Sequence, residues 1–242
     1  MIRIFKDISE LSQYAANSFV GIANQSIAER GRFLTALSGG STPMRLYELL
    51  GDLHRAKVDW TRAHFFWGDE RCVPVNDAGN SYGQTKKVLF DKIAIPDENI
   101  HPVNSDLEPA AASIDYAQML KQFAAPPLAW PRFDLVLLGM GDDGHTASLF
   151  PGSPVQADSP TRSVIAHYQG RPANRVTITQ IVFNSARNIF FLVAGADKAE
   201  TLFNVLNGEY KPDVYPAHRI NPQNGQLSWL VDEAAAGKLL KK

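Results

Sequence analysis

A single cysteine, Cys72, stands among 242 residues, which excludes an intrachain disulfide and any cysteine-built metal cage. Long apolar runs are missing as well. Leu135 to Leu138 and Ile189 to Ala194 are of strand length, far short of a bilayer span. The opening Met1-Ile-Arg-Ile-Phe-Lys-Asp7 holds no apolar stretch of signal-peptide length, so a cytoplasmic protein without membrane contact is expected. Neither sign of charge is in excess: 24 Lys and Arg face 25 Asp and Glu, a net charge of −1. No global field therefore recruits nucleic acid or anionic membrane, and any anion site must be a local cluster. No set of His, Asp and Glu has a metal-ligand spacing such as H-E-x-x-H, so no metal is expected. Internal repeats and low-complexity tracts are absent too.

What is present is ordinary globular composition, 45% apolar and 20% charged, enough for a sizeable core. The Pro-rich stretches Ala125 to Pro131 and Pro151 to Pro160 are short and read as long loops, not linkers, leaving one domain over 1–242. Several short apolar runs end in Gly or Asp before helix-like segments. Phe33-Leu-Thr-Ala-Leu37, His64-Phe-Phe-Trp67, Phe133-Asp-Leu-Val-Leu-Leu138 and Asn188-Ile-Phe-Phe-Leu-Val193 are of this kind. Arg175 to Thr179 and Ser228 to Val231 read as further strands, the latter before an Ala-rich terminal helix. Continuous rather than alternating apolar runs imply strands buried on both faces, hence an α/β fold with a mostly parallel sheet between helix layers. In such folds ligands bind beyond the carboxyl ends of the strands.

The polar motifs fall at those ends. Ser38-Gly-Gly-Ser-Thr-Pro43 joins a strand to a helix; Gly39 and Gly40 let the backbone turn tightly, and Ser41 or Thr42 is expected to cap the helix. A helix start of this kind suits a phosphate, or is merely a capped turn. It lacks the lysine of a nucleotide P-loop. Gly68-Asp-Glu-Arg71 puts Asp69 and Arg71 at a buried strand end, either to meet a polar substrate or to close the loop as a pair. Gly139-Met-Gly-Asp-Asp-Gly144 matches the dinucleotide fingerprint in letters only. Asp142 and Asp143 would put negative charge where a pyrophosphate must lie, and Pro151 arrives within two turns.

The same segment reads better as a catalytic turn. Among six histidines, His145 is set apart by a Gly-rich loop after a strongly apolar strand, with Asp143 placed to fix its tautomer and raise its basicity, while His218 stays ambiguous. Arg175 at a strand start and Lys198 at a helix start are each ordinary surface cations by themselves. If the fold gathers them at the Gly39-Gly40 turn they form a phosphate pocket.

Taken in order, Leu37 to Pro43, Trp67 to Pro74, Asn80 to Tyr82, Gly139 to Pro151, Arg175 to Thr179 and Gly195 to Lys198 resemble the 6-phosphogluconolactonase family across nearly the whole chain. Gly144-His-Thr-Ala-Ser-Leu-Phe-Pro151 is the most specific piece. Two segments depart from the family pattern: the 76–82 loop, and Pro216-Ala-His-Arg219, where a smaller residue is expected. The resemblance implies a modified Rossmann-like sheet and hydrolysis of 6-phospho-D-glucono-1,5-lactone in the oxidative pentose phosphate pathway, without cofactor, as monomer or homodimer. It makes His145 the base that activates water, Asp143 its orienting partner and Asp69 a helper. Arg71 would hold substrate or offset oxyanion charge, and Gly39, Gly40, Ser41, Thr42, Arg175 and Lys198 would hold the phosphate. Two rivals remain: an amino-sugar-phosphate deaminase or sugar-phosphate isomerase on the same fold, and a non-catalytic sugar-phosphate sensor. The related deaminases carry a carboxylate where this chain has Phe150, and a sensor has no need of His145 and Asp143.

Overall fold

The computed structural model describes residues 1–240; Lys241 and Lys242 lie outside the described residues. In chain order the elements are β1 (Ile2–Phe5), α1 (Ile8–Arg30), β2 (Phe33–Leu37), α2 (Ser41–Leu53), β3 (Ala63–Trp67), β4 (Asp69–Arg71), α3 (Ser81–Val88), β5 (Ile100–His101), α4 (Pro109–Gln122), β6 (Leu135–Leu138), β7 (Thr161–Ile165), β8 (Asn174–Ile178), α5 (Gln180–Phe183), β9 (Asn188–Val193), α6 (Ala199–Asn207) and β10 (Gln226–Asp232). The first helix shows the local logic. Asp7 accepts the N–H groups of Ser9 and Glu10 at its start, and Gly31, at φ 76°, takes the left-handed turn that ends it.

Seven strands form one parallel sheet in the order β1-β10-β9-β6-β2-β3-β5. Every residue of β2 and β6 is buried. Successive side chains point to opposite faces, so each strand feeds two cores. Leu34, Ala36 and Val136 pack towards α4 and α6. Phe33, Leu37 and Leu135 pack towards α1 and α2. Helices on both faces follow directly from that unbroken apolar pattern.

Three strands depart from the parallel expectation. β4, β8 and β7 make a small antiparallel sheet, and Arg175 to Ile178 belongs there, outside the central sheet. The chain crosses over at Gly68, whose N–H donates to Leu37 O in the large sheet while its carbonyl accepts Ile178 N–H from the small one. The expected terminal helix is not formed: residues 233–239 are a run of turns. Gly237 weakens helix formation there, and the Asp232 carboxylate takes the N–H groups of Ala235 and of Gly195. The Pro-rich stretches are loops as expected.

Candidate active site

β9, β6, β2 and β3 are neighbours at the middle of the large sheet, so the loops leaving their carboxyl ends converge although they are distant in sequence. Between them lies an open cleft. Gly39, Gly40, Ser41, Thr42, Asp69, Arg71, His145, Arg175 and Lys198 all line it. Asp143 stands one contact behind, bonded to His145.

The cradle differs from expectation in one respect. Neither Ser41 nor Thr42 caps α2; both lie within its first turn, and Gly40 is the cap, at φ 96°, with no side-chain bond to the helix. A backbone angle in that region favours glycine, and it leaves the first N–H groups of α2 without a side-chain acceptor. Partial positive charge thus faces the cleft.

Arginines reinforce it. Arg71 of β4 and Arg175 of β8 are direct cross-strand partners, an arrangement that is unfavourable for like charges. Arg175 is only 2% exposed. The Nε atoms of both arginines and Nη2 of Arg175 are buried without a hydrogen-bond partner. Asp69 is 4.0 Å from Arg175 Nη1 and already accepts the Ser148 hydroxyl at 2.6 Å. Burial pulls the Arg175 guanidinium below its usual range; Asp69 opposes this and Arg71 adds to it. Arg71 Nη1 donates to Gly79 O and lies 3.7 Å from where a Cβ on Gly39 would stand, so the cation borders the glycine turn. Buried donors left unmatched are costly unless something anionic completes them. Lys198, paired with Asp197 at 2.9 Å, adds a cation from the β9 side.

The imidazole of His145 is held from three sides. Asp143 Oδ1 lies 2.6 Å from Nδ1 and also accepts the His145 backbone N–H at 3.0 Å. Burial works to raise the Asp143 carboxyl, but the hydrogen bond and charge of His145 outweigh it and hold it below the usual range. Phe150 stacks on the ring at 4.4 Å and Tyr168 meets it edge-on at 4.6 Å. With Nδ1 committed to a carboxylate, the assigned tautomer leaves Nε2 as the free basic nitrogen. Such a group can take a proton from water beside an anchored anionic substrate.

Several contributors were not singled out in the sequence. Tyr168, Gln169 and Arg171 come from a loop with no motif of its own, yet line the cleft. The Tyr168 hydroxyl donates to Asp142 at 2.5 Å and Gln169 reaches the same carboxylate at 3.3 Å, so Asp142 anchors that loop over His145. Glu70, the middle charge of its motif, is another. Fully buried, it accepts the N–H groups of Ser81 and Tyr82 at the start of α3, and of Arg71. Burial pushes its carboxyl up to about 7 against those three bonds. Glu70→Ala orphans these donors and is expected to lower unfolding free energy by on the order of 3 kcal/mol; urea unfolding that registers less than about 1 kcal/mol would contradict this role. The departing 76–82 loop stands behind the cradle through Gly79 and Ser81, lining a neighbouring hollow. Pro216 to Arg219 does not line the cleft but backs it, Ala217 N–H donating to Gly144 O beside His145. Arg219 there is buried, binding backbone carbonyls of Pro212, Ser153 and Pro154. Among the described residues, no three His, Cys, Asp or Glu side chains gather to hold a metal ion, and no helix is long and apolar enough to cross a membrane.

Comparison with known proteins gives the family. The family model described as glucosamine-6-phosphate isomerases/6-phosphogluconolactonase matches residues 6–229. A Synechocystis protein named 6-phosphogluconolactonase is 41% identical over 89% of this chain and 88% of its own. A Nostoc protein of the same name is 37% identical over 98% of both. The crystal structure of 6-phosphogluconolactonase from Thermotoga maritima, 27% identical, covers 96% of this chain and 99% of its own with a TM-score of 0.84. On these matches the chain belongs to the glucosamine-6-phosphate isomerase/6-phosphogluconolactonase family and is an enzyme of its lactonase side.

Proposed function

We propose that this enzyme hydrolyses 6-phospho-D-glucono-1,5-lactone to 6-phospho-D-gluconate, with His145 as general base and without a metal or cofactor. One observation carries the reading. An imidazole poised by a carboxylate and two opposed arginines with unmatched buried donors, beside an open helix start, face the same cleft. The names borne by the Synechocystis and Nostoc relatives point to the same substrate.

The phosphate lies at the Gly39-Gly40 turn, on the N–H groups of Ser41 and Thr42, between Arg71 and Arg175, with Lys198 from the far wall. That anchor sets the lactone carbonyl carbon within reach of a water on His145 Nε2. His145 takes a proton as the water oxygen bonds to that carbon. The tetrahedral intermediate then collapses, the bond to the ring oxygen breaks, and His145 returns the proton to that oxygen. Asp143 holds the ring and stabilises the imidazolium that forms between the two steps. Arg71 acts in this scheme as part of the phosphate anchor, and Asp69 keeps Arg175 in place. A lactone is reactive enough for one base and good orientation to suffice. Ser148 is no nucleophile in this scheme, because its hydroxyl is spent on Asp69. The setting is the cytoplasmic oxidative pentose phosphate pathway, with the enzyme a monomer or homodimer.

Phe150, packed on the imidazole where a deaminase would bring a carboxylate, favours hydrolysis over proton shuttling. The test is an assay of freshly made lactone coupled to phosphogluconate dehydrogenase, beside an ammonia assay with glucosamine 6-phosphate. Expected are a rate well above spontaneous hydrolysis and no ammonia. Ammonia release would make it a deaminase, and phosphogluconate binding without acceleration would make it a sensor.

A further inference from the structure

At the end of the sheet remote from the catalytic cleft, the chain enters β2, β6 and β9 side by side, with an arginine ahead of each entrance. Arg32 precedes β2, Arg132 precedes β6 and Arg187 precedes β9, while Arg30 joins them from the last turn of α1. These four arginines, with Phe123 and Asp134, line an open hollow that shares no residue with the cleft.

The negative charge on hand falls short of this cluster. Asp134, its side chain 4% exposed, accepts the Leu34 N–H at 2.9 Å and Arg30 Nε at 3.0 Å, with Arg187 Nε 3.3 Å away. Glu29 pairs with Arg30. The carboxyl ends of α1 and α4 add about half a negative charge each. Arg132 gives Nε to the carbonyl of Ser185 and Nη2 to that of Asn224. A cation remains in surplus, in a protein whose net charge is −1. Two of the four arginines, Arg32 and Arg187, donate no side-chain hydrogen bond among the described residues. Arg32 lies over the Phe123 ring at 5.9 Å, and among the described residues it has no ion-pair partner. Arg187 Nε is buried, and the nearby Asp134 oxygen is not aligned to give it a hydrogen bond. Burial, then the charges of Arg132 and Arg30, pull the Arg187 guanidinium below its usual range. Two planar forks beside an aromatic wall suit a doubly charged, multidentate anion better than a single carboxylate.

We propose that this hollow is a second anion site, taking a small phosphorylated molecule whose phosphate bridges Arg32 and Arg187 and whose apolar body lies against Phe123. The site is independent of the catalytic one and stands or falls separately from the lactonase reading.

The experiment is arginine-selective ¹⁵N NMR of the full chain, titrated with phenyl phosphate and, in parallel, inorganic phosphate. Expected are saturable shifts of the Arg32 and Arg187 Nε–Hε resonances, with phenyl phosphate the tighter ligand because it alone reaches the aromatic wall. Inorganic phosphate binding equally well would remove the apolar part of the proposal and so overturn it as stated. Arg32→Ala, at an exposed side chain, should weaken phenyl phosphate at least about tenfold, the low end for a lost charge-assisted hydrogen bond, and leave lactone hydrolysis unchanged. Arg187→Gln should do the same to binding, with Arg32→Ala deciding the matter if the loss of the Asp134 pair disturbs folding. Shifts confined to Arg71 and Arg175, or unchanged affinity in Arg32→Ala, would overturn the site.

Discussion

His145→Ala lowers kcat on the phosphorylated lactone at least about a hundredfold, the low end for removing a general base, and leaves KM close to that of the wild type. The split follows from where the groups stand. The proposed phosphate anchor is built by α2, β4 and β8 with Lys198, on elements other than the His145 turn, so binding survives while proton transfer is lost. Residual rate comes from the orientation that the anchor still provides. The variant should fold, because the Asp143 carboxylate is the one polar partner its ring gives up, and that group is partly exposed to water. Asp143→Asn should be the milder loss, since an amide can still accept from Nδ1 but cannot offset the imidazolium charge. A drop of less than about tenfold in His145→Ala would mean that another group takes the proton.

Arg175→Gln has the second large effect, in a different quantity. One partner of the opposed arginine pair disappears, and kcat/KM for the phosphorylated lactone is expected to fall at least about tenfold, and about a hundredfold if two charge-assisted bonds are lost. Unphosphorylated gluconolactone, which has nothing to place between the arginines, should react at nearly the same rate with wild type and variant. Arg71→Gln should repeat the pattern from the opposite strand. Because removing one of two crowded cations relieves repulsion, neither variant should be much less stable than the wild type. Equal losses on both substrates would move the arginines from phosphate anchoring to support of the fold.

Much of this was legible in the sequence because it is written in local pattern. Unbroken apolar strands demand two covered faces, and β2 and β6 have them. Polar motifs at strand ends in such a sheet must open at one edge, which is why Gly39, Asp69 and His145 meet. What stayed hidden depends on register between distant segments. Nothing in Gly68-Asp-Glu-Arg71 announces that Arg71 will face Arg175 across an antiparallel pair; that follows from the turn of the chain at Gly68. Glu70 looked like one more charge in a motif, although its work is to gather three backbone donors behind the site. Ser41 and Thr42 are good capping residues by type, but the positive φ of Gly40 moves the start of α2 one step earlier. Tyr168 had no pattern to betray it; its place is fixed by the Asp142 carboxylate that argued against a dinucleotide.

The account rests on one molecule bridging the cation pair and the imidazole, and a crystal structure with 6-phosphogluconate bound examines that bridge directly. The phosphate should lie against the Gly40 turn between Arg71 and Arg175, with the product carboxylate within hydrogen-bonding distance of His145 Nε2. A phosphate bound beside His145, or a carboxylate out of its reach while the phosphate fills the cradle, would contradict the mechanism.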